Sequence, residues 1–263
     1  MTALTHTPQQ LHDALGAAST IALVPTMGAL HEGHLSLVRE AKKLGGPVVV
    51  SIFVNPLQFA PGEDLDAYPR TLNQDVELLE AEGVDAVFAP SAATMYPDGP
   101  RTTIHPGPTG AILEGASRPT HFAGVLTVVA KLFALTRATD AFFGEKDYQQ
   151  LVLVRQMVRD LNMPVRVHGC PIVREETGLA MSSRNRYLSA DEAELAQVLS
   201  RALATKDLAA ARSLLDATDG VDLDYLALTT ADLEPVTGDY AGPKRLLIAA
   251  RVGTTRLIDN VAV

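Results

Sequence analysis

The chain has 263 residues and a net charge of −9, and 47% of its residues are hydrophobic. This composition predicts a soluble globular protein, and the net acidity argues against broad binding to nucleic acid or to anionic membranes. No run of about 18 apolar residues is present, so no membrane span is expected. The single cysteine, Cys170, excludes an intrachain disulfide. Such low cysteine usage is typical of a reducing compartment, so we predict a cytoplasmic protein. We also predict that Cys170 is an inert core residue.

The first two thirds of the chain alternate between apolar strands and amphipathic helices. The predicted strands are Ile21–Val24, Val48–Val54, Ala86–Ala89, Asp140–Phe143 and Val165–Val173. The predicted helices are Leu11–Ala18, Leu35–Leu44, Leu72–Glu82, Val125–Thr136 and Tyr148–Leu161. Continuously apolar strands are typical of a parallel sheet covered on both faces. We therefore predict a doubly wound, Rossmann-like α/β domain over residues 1–173, which binds its ligands at the carboxyl ends of the strands.

The pattern changes after Val173. A polar, turn-rich stretch leads to Ser189 and Glu192, whose spacing indicates a helix capping box. Helices follow to about residue 217. Three short strands are predicted after them: Tyr225–Thr229, Arg245–Val252 and Thr255–Asp259, the last two joined by a turn at Gly253-Thr254. We expect a smaller α+β domain over residues 174–263, acting as a lid.

A turn rich in glycine and histidine follows the first predicted strand, in Val24-Pro25-Thr26-Met27-Gly28-Ala29-Leu30-His31-Glu32-Gly33-His34. Because an amphipathic helix begins there, two imidazoles and several backbone N–H groups meet at a helix N-terminus. That end carries partial positive charge and suits a polyphosphate. Gly28 and Gly33 allow a ligand to approach the backbone closely. Zinc binding is the alternative for paired histidines, but no companion carboxylate or cysteine pattern accompanies them.

A glutamine lies just beyond the second strand, in Ser51-Ile52-Phe53-Val54-Asn55-Pro56-Leu57-Gln58-Phe59. The strand ends at Asn55-Pro56, because proline cannot continue a central ladder. The amide of Gln58 offers a donor and an acceptor, which suits a hydroxy acid without adding charge. A glutamine exposed to water in a loop is the alternative.

A charged turn follows two phenylalanines in Phe142-Phe143-Gly144-Glu145-Lys146-Asp147-Tyr148-Gln149-Gln150. Lys146 is a mobile point charge suited to phosphate. Glu145 and Asp147 have an ordinary alternative role, since acidic residues in the first turn of a helix favour its dipole. Gln150 is expected one turn beyond Lys146 on the same helix face.

The fourth motif is Met181-Ser182-Ser183-Arg184-Asn185-Arg186-Tyr187-Leu188. Two hydroxyls followed by an arginine make a compact phosphate clamp. Taken alone, Ser-Ser-Arg is more often a solvated loop. Val173 ends the preceding predicted strand, where its backbone groups could meet adenine.

These four motifs, in this order, resemble those of the pantothenate synthetase (pantoate–β-alanine ligase) family. This family belongs to the superfamily of His-x-Gly-His nucleotidyltransferases and class I aminoacyl-tRNA synthetases. The resemblance extends over residues 21–188 and resumes over residues 251–260. Two further segments share it. Asp64–Arg70 supplies Tyr68 and Arg70 as wall residues, and Glu114–Val125 supplies Arg118 and His121, which either face the substrate or order the loop.

The resemblance implies particular roles for the motif residues. His34 would be the proton donor, Gln58 would bind pantoate and β-alanine, and Gln150 would bind pantoate. The predicted catalytic residues are His31, His34, Lys146, Ser182, Ser183 and Arg184. The predicted ATP-binding residues are Met27, Gly28, Ala29, Leu30, His31, Glu32, Gly33, His34, Gly144, Glu145, Lys146, Asp147, Val173, Met181, Ser182, Ser183 and Arg184. A homodimer is implied by the resemblance alone.

Magnesium is expected to accompany ATP, although its protein ligands stay open. Some relatives have acidic residues in the helix that follows Tyr68-Pro69-Arg70-Thr71. Here the corresponding stretch is Asn73-Gln74-Asp75, in which only Asp75 is acidic. We therefore expect Mg²⁺ to be held mainly by ATP phosphates and water.

The predicted reaction is the ATP-dependent condensation of pantoate with β-alanine through pantoyl adenylate. The loop around Ser182 would be a lid that excludes water. A nucleotidyltransferase that adenylates a phosphate substrate is one alternative, against which Gln58 and Gln150 argue. A regulatory module that binds ATP without turnover is another, against which the intact set of histidine, lysine and arginine argues. The absence of a basic surface or an anticodon-binding domain argues against a tRNA synthetase.

Overall fold

The structure, a computed structural model, describes residues 2–63 and 65–263. Asp64, which begins one of the family-like segments, lies outside the described residues. The chain divides into two compact units: Met1–Gly144 with Leu153–Cys170, and Glu145–Val152 with Pro171–Val263. Over the described part of the chain, no helix is long and apolar enough to cross a membrane.

The first unit contains a six-stranded sheet in which every pair of neighbouring strands is parallel. Its strands are β1 (Ala3–Thr5), β2 (Ala22–Thr26), β3 (Val48–Ile52), β4 (Ala86–Phe88), β5 (Asp140–Gly144) and β6 (Arg166–Cys170). Their order is β1-β4-β3-β2-β5-β6, which confirms the predicted Rossmann-like fold. The sequence did not indicate β1, because three residues that pair only with β4 leave almost no alternation to recognise.

Seven helices of the described chain surround or connect these strands. They are α1 (Pro8–Leu15), α2 (Glu32–Lys42), α3 (Leu72–Ala81), α4 (Ala92–Met95), α5 (Glu114–Ser117), α6 (His121–Thr136) and α7 (Tyr148–Asp160). Helix α1 begins before the predicted Leu11, because Thr7 and Gln10 form a capping box around Pro8. Strand β6 ends before the predicted Val173, since Pro171 has no N–H with which to extend the ladder.

The continuous apolar strands form the centre of this unit. Val24, Val49, Val50 and Phe88 have no exposed surface, as expected for parallel strands covered on both faces. Cys170 is 4% exposed, which confirms its predicted place in the core.

One buried charge lies at the amino end of β5, the end opposite to the predicted ligand edge. Asp140 is 1% exposed. It accepts hydrogen bonds from Arg166 at 2.8 and 2.9 Å and contacts the Nε2 of His168 at 2.8 Å. The Arg166 hydrogen bonds, helped by those of His168 and Thr139, hold the pKa of Asp140 well below its usual range despite burial. The carboxylate therefore stays ionised and ties β5 to β6.

The second unit is an antiparallel sheet with two helices. It contains α8 (Ala190–Ala204), α9 (Leu208–Asp216), β7 (Val221–Thr230), β8 (Lys244–Val252) and β9 (Thr255–Ala262), with the strand order β7-β8-β9. Ser189 and Glu192 form the predicted capping box of α8. Val252 pairs with Thr255 across the predicted Gly253-Thr254 turn. The core of this second unit includes Leu199, Leu203, Leu246 and Ile248.

The division between the units differs from the predicted boundary at Val173. Residues 145–152 group with the C-terminal sheet. The side chain of Asn260 on β9 donates to the carbonyls of Glu145 and Lys146, and the Tyr148 hydroxyl donates to Ala231 O at 2.9 Å. These hydrogen bonds join segments more than 80 residues apart. The change in sequence pattern after Val173, from which the boundary was predicted, does not reveal them.

Candidate active site

The loop after β2 is held in an unusual backbone conformation by a buried carboxylate. Gly28 has φ +84° and Ala29 has φ +51°, so two consecutive residues are left-handed. Asp75, at the start of α3, accepts the backbone N–H of Ala29 at 3.0 Å and that of Leu30 at 2.8 Å. Thr71 donates its hydroxyl to the same carboxylate at 3.1 Å. Asp75 is 2% exposed, and both of its carboxylate oxygens accept hydrogen bonds from this loop. Its observed role is therefore to shape the loop.

Two histidines close the N-terminus of α2. His31 is the N-cap, and its Nδ1 accepts the N–H of Gly33 at 3.1 Å. The Nδ1 of His34 accepts the N–H of His31 at 3.3 Å, and the two ring centroids are 4.1 Å apart. A neutral imidazole that accepts at Nδ1 carries its proton on Nε2. The fold therefore makes both rings Nε2–H donors, and protonation at Nδ1 would break the cap.

The other residues of this turn contribute mainly through their backbone. Glu32 forms an ion pair with Arg39 of the same helix, and both side chains are 46% exposed. Its predicted contact with ATP therefore rests on its backbone at the helix N-terminus, where the dipole favours an anion.

Gln58 follows β3, the neighbour of β2 in the sheet, and is 8% exposed. Its Oε1 accepts from Asn55 Nδ2 at 3.0 Å, which leaves Nε2 as the donor, 3.9 Å from Met27 Sδ. Asn55 Nδ2 also donates to Gly124 O at 3.1 Å, and its Oδ1 accepts from the Tyr96 hydroxyl at 2.9 Å. Burial raises the pKa of Tyr96 to about 12, so its phenol stays a donor. The alternative of an exposed loop glutamine is wrong.

Arg118 and His121 order the segment that carries Gln58. The backbone oxygen of Gln58 accepts from Arg118 Nη2 at 3.2 Å and lies 3.0 Å from His121 Nδ1. Arg118 also forms a two-point ion pair with Glu63 at 2.7 and 2.8 Å. That hydrogen bond lowers the pKa of Glu63, so the pair stays charged. These contacts give both residues a role in ordering the loop, and contact with substrate stays a prediction.

The two predicted wall residues differ. Tyr68 is 6% exposed and packs edge-on against Phe59, with ring centroids 5.9 Å apart. Arg70 is exposed and donates to the carbonyls of Leu65 and Asp66, so it braces its own loop.

In the motif that contains Lys146, Phe142, Phe143 and Gly144 end β5 in the first unit, and the residues from Glu145 to Gln150 belong to the second unit. Glu145–Asp147 forms a single turn of 3-10 helix, and α7 begins after it at Tyr148. Lys146 is half-buried, and Gln150 lies in the first turn of α7.

The serine motif forms a short capped turn in the same unit. Ser182 caps a 3-10 helix over Ser183–Tyr187, and its hydroxyl accepts the N–H of Arg184 at 3.3 Å. The carbonyl of Val173 accepts the N–H of Met181 at 3.0 Å, so its contact with adenine would use the remaining backbone groups. The structure thus gives this loop a defined shape in which both serines and Arg184 are partly exposed.

Within the first unit, the structure brings together residues 27–34 and Gln58. Within the second, it places residues 145–147 against β9 and joins Val173 to Met181. Sequence reasoning missed the roles of Asp75, Asn55 and Asn260. A buried polar side chain at the end of an apolar segment is the only local signal that any of them gives.

No group of three histidine, cysteine or carboxylate side chains within residues 2–63 and 65–263 is arranged to hold a metal ion. Asp75, the acidic residue considered for magnesium, directs both oxygens at backbone N–H groups.

Comparison with known proteins gives the family. The family model of pantoate-beta-alanine ligase matches residues 3–262. The chain belongs to the pantoate-β-alanine ligase family. The pantothenate synthetases of Nocardia farcinica and Corynebacterium jeikeium are 65% and 66% identical to it over 258 residues, which cover 94% of this chain and 80% and 84% of theirs. The resemblance inferred from the motifs is therefore confirmed, and the chain is an enzyme of pantothenate synthesis.

Solved structures agree with this assignment. Pantothenate synthetase from Thermus thermophilus is 47% identical with a TM-score of 0.94, and the match covers 99% of both chains. The pantoate-β-alanine ligase from Francisella tularensis is 37% identical with a TM-score of 0.88, covering 99% of this chain and 97% of that one. The latter was solved in complex with beta-gamma ATP and β-alanine.

Proposed function

We propose that the enzyme condenses pantoate with β-alanine in two steps, through pantoyl adenylate. A pantoate carboxylate oxygen attacks the α-phosphorus of ATP, and the bond from that phosphorus to the bridging oxygen breaks, releasing pyrophosphate. The amine of β-alanine then attacks the acyl carbon, the bond to the AMP oxygen breaks, and the amine proton passes to solvent. Adenylation is needed because the oxygen of a free carboxylate is a poor leaving group.

The observation that carries this proposal is the paired histidine cap of α2. His31 and His34 each have Nδ1 engaged with a backbone N–H. Their Nε2–H groups would donate to phosphate oxygens, where negative charge develops as pyrophosphate departs. In this scheme His34 is the proton donor in a hydrogen bond from its Nε2 to a phosphate oxygen, and it keeps that proton because pyrophosphate leaves as an anion. The N-terminus of α2 adds backbone N–H groups and the positive end of its dipole.

Lys146 and Arg184 would neutralise the triphosphate, and Ser182 and Ser183 would add hydroxyl donors. The loop that carries Ser182 is our candidate lid, because an acyl adenylate must be protected from water.

Gln58 and Gln150 would bind pantoate. The Asn55 contact fixes the amide of Gln58 with Nε2 as donor, which suits a carboxylate or hydroxyl oxygen of the substrate. Magnesium would enter with ATP, held by phosphates and water, because Asp75 is already committed to the Ala29–Leu30 backbone. A homodimer and a cytoplasmic location stay predictions, the first of which light scattering would test.

The test separates the two chemical steps. Exchange of labelled pyrophosphate into ATP is measured with pantoate alone, and AMP and pantothenate are measured after β-alanine is added. We expect exchange without β-alanine, AMP only with both substrates, and loss of both signals in His34→Ala. ATP binding without exchange or AMP would overturn the proposal and favour a regulatory module. Pyrophosphate release on a phosphorylated acceptor in place of pantoate would favour a nucleotidyltransferase.

A further inference from the structure

The turn that carries Lys146 is held by two residues far along the chain, Asn260 and Arg245. Asn260, on β9, is 1% exposed, and its Nδ2 donates to Glu145 O at 2.9 Å and to Lys146 O at 3.0 Å. Its Oδ1 accepts from Arg245 Nη1 at 3.1 Å. Both amide protons and the amide oxygen are thus used. A short primary amide is the only natural side chain that can make these three contacts here.

Arg245, on β8, completes the arrangement. Its Nη2 donates to Glu145 Oε2 at 3.1 Å, and its guanidinium lies 3.8 Å from the centroid of the Tyr148 ring. The side chain of Arg245 is only 10% exposed. A buried guanidinium that is stacked, ion-paired and hydrogen-bonded has little freedom to move. The 3-10 turn at Glu145 and Lys146 and the start of α7 at Tyr148 are therefore pinned together.

This arrangement also sets the charge at the turn. Glu145 is adjacent to Lys146 and would oppose a phosphate if its carboxylate were uncompensated. Its pairing with Arg245 compensates that charge. Lys146 has no ion pair with a carboxylate among residues 2–63 and 65–263, so no such carboxylate competes with an anion for its ammonium. Asn260 holds only the Lys146 carbonyl, which fixes the backbone and leaves the side chain able to extend.

We propose that Asn260 and Arg245 are positioning residues that aim Lys146 at the ATP phosphates and keep Glu145 from repelling them. This inference rests on the proposed function, because it needs Lys146 to act on ATP. Neither residue touches the reacting atoms. Their effect falls on the adenylation step, in which the triphosphate reacts, and not on the attack of β-alanine.

The decisive variant is Asn260→Asp, which keeps the size of the side chain and an oxygen for Arg245 but loses both donors. A carboxylate oxygen then faces two carbonyl oxygens, so the turn must move. A shift of about 1 Å in a positioned group can cost about 10²-fold in rate. We expect kcat/KM for ATP in pyrophosphate exchange to fall by about that factor. We expect the reaction of synthetic pantoyl adenylate with β-alanine to change less than about threefold.

Arg256→Ala is the matched control. Arg256 lies on the same strand and pairs with Asp224 on β7, where its side chain is 15% exposed. Its loss perturbs the same strand and removes the ion pair with Asp224. If it reduces exchange as much as Asn260→Asp does, or if Asn260→Asp slows both half-reactions equally, the two residues serve only the fold and the inference is overturned.

A cycle with Lys146→Ala shows whether Asn260 acts through that lysine. If it does, adding Asn260→Asp to Lys146→Ala changes exchange by less than about twofold, since coupled effects are not additive. Additive losses would overturn the inference. An inactive wild-type enzyme would instead overturn the proposed function, whereas an active wild type matched by Asn260→Asp would overturn the inference alone.

A second pair of variants keeps the test valid if Asn260→Asp does not fold. Arg245→Gln leaves Glu145 uncompensated, so ATP binding measured by calorimetry should weaken by about tenfold or more. Adding Glu145→Gln removes the exposed charge and should restore most of that binding. A purely structural role of Arg245 predicts no restoration, and that result would overturn the charge argument.

Discussion

Helix α6 packs directly on the segment that carries Gln58, and Gly124 permits the contact. A Cβ at position 124 would lie 2.1 Å from Leu57 O and 2.8 Å from Gln58 N. Carbon and carbonyl oxygen ordinarily approach to about 3.3 Å. In Gly124→Ala the helix and the segment must therefore separate by about 1.2 Å. Gly124 O also accepts from Asn55, whose amide holds Gln58, so the shift reaches the substrate amide by two routes.

We expect this substitution to act on pantoate. Displacing the Gln58 amide by about 1 Å should lower kcat/KM for pantoate by about 10²-fold. Overpacking should also lower the free energy of unfolding by about 1–3 kcal/mol, partly offset because alanine is the better helix former. The affinity for ATP should stay within about twofold, because the contacts of His31 and His34 are not disturbed. Steady-state kinetics with pantoate varied, ATP titration calorimetry and chemical denaturation measure the three quantities.

Ala134→Gly is the control for lost stability. Ala134 is an exposed residue of the same helix, and glycine there costs about 1 kcal/mol without approaching Leu57. We expect it to leave the pantoate kinetics unchanged. If Gly124→Ala keeps wild-type kcat/KM for pantoate, or if both variants lose activity equally, then the position of Gln58 does not depend on this close approach.

Three further substitutions test other parts of the first unit. Asp75→Asn replaces one acceptor by an N–H₂ group that faces a backbone N–H, so we expect calorimetry to show ATP binding at least about tenfold weaker, with about 1–3 kcal/mol of stability lost in denaturant; unchanged binding would contradict the role of Asp75. Asp140 has a lowered pKa when folded, so its stabilising effect is complete above about pH 4 and is lost as the pH falls further. The stability difference between wild type and Asp140→Asn should thus shrink as the pH falls below about pH 4, and a difference that does not shrink there would refute this. Ser51 is fully buried, and its hydroxyl has no hydrogen-bond partner in the described chain, so Ser51→Ala should keep or raise the denaturation midpoint, whereas a loss above about 1 kcal/mol would show an unrecognised contact.

The sequence alone predicted those strands of the sheet that are mostly apolar. Two strands inside the sheet, where both faces are covered, are Val48–Ile52 and Asp140–Gly144. Their largely apolar composition indicates this burial directly. Strand β1 lies at an edge and pairs only with β4. Its assignment as a strand therefore depends on the hydrogen bonds to that neighbour. Local pattern can indicate burial, but it cannot indicate a partner more than 80 residues away.

The motif residues could also be identified from the sequence, because a turn between a strand and a helix N-terminus has a local signature. What sequence could not give is how those residues are oriented. The N–H of Gly33 donates to Nδ1 of His31, which places the proton of that ring on Nε2. Asn55 donates to Oε1 of Gln58 and so orients its amide. The second of these depends in turn on Gly124, a residue of another helix. Chemistry at a site is set by such contacts, which only the folded chain brings together.

The position of Glu145–Val152 illustrates the same limit at the level of domains. In the sequence this segment is a charged turn and a helix start that directly follow an apolar strand, and the boundary was predicted at the later polar stretch. In the folded chain its polar backbone groups find their partners on β9, through the two donors of Asn260. A 3-10 turn leaves carbonyl groups without intrahelical partners, and burying them without a donor would be costly. The unit to which a turn belongs is therefore decided by the donor that satisfies it. In this chain, that donor also fixes the backbone of the lysine we assign to ATP.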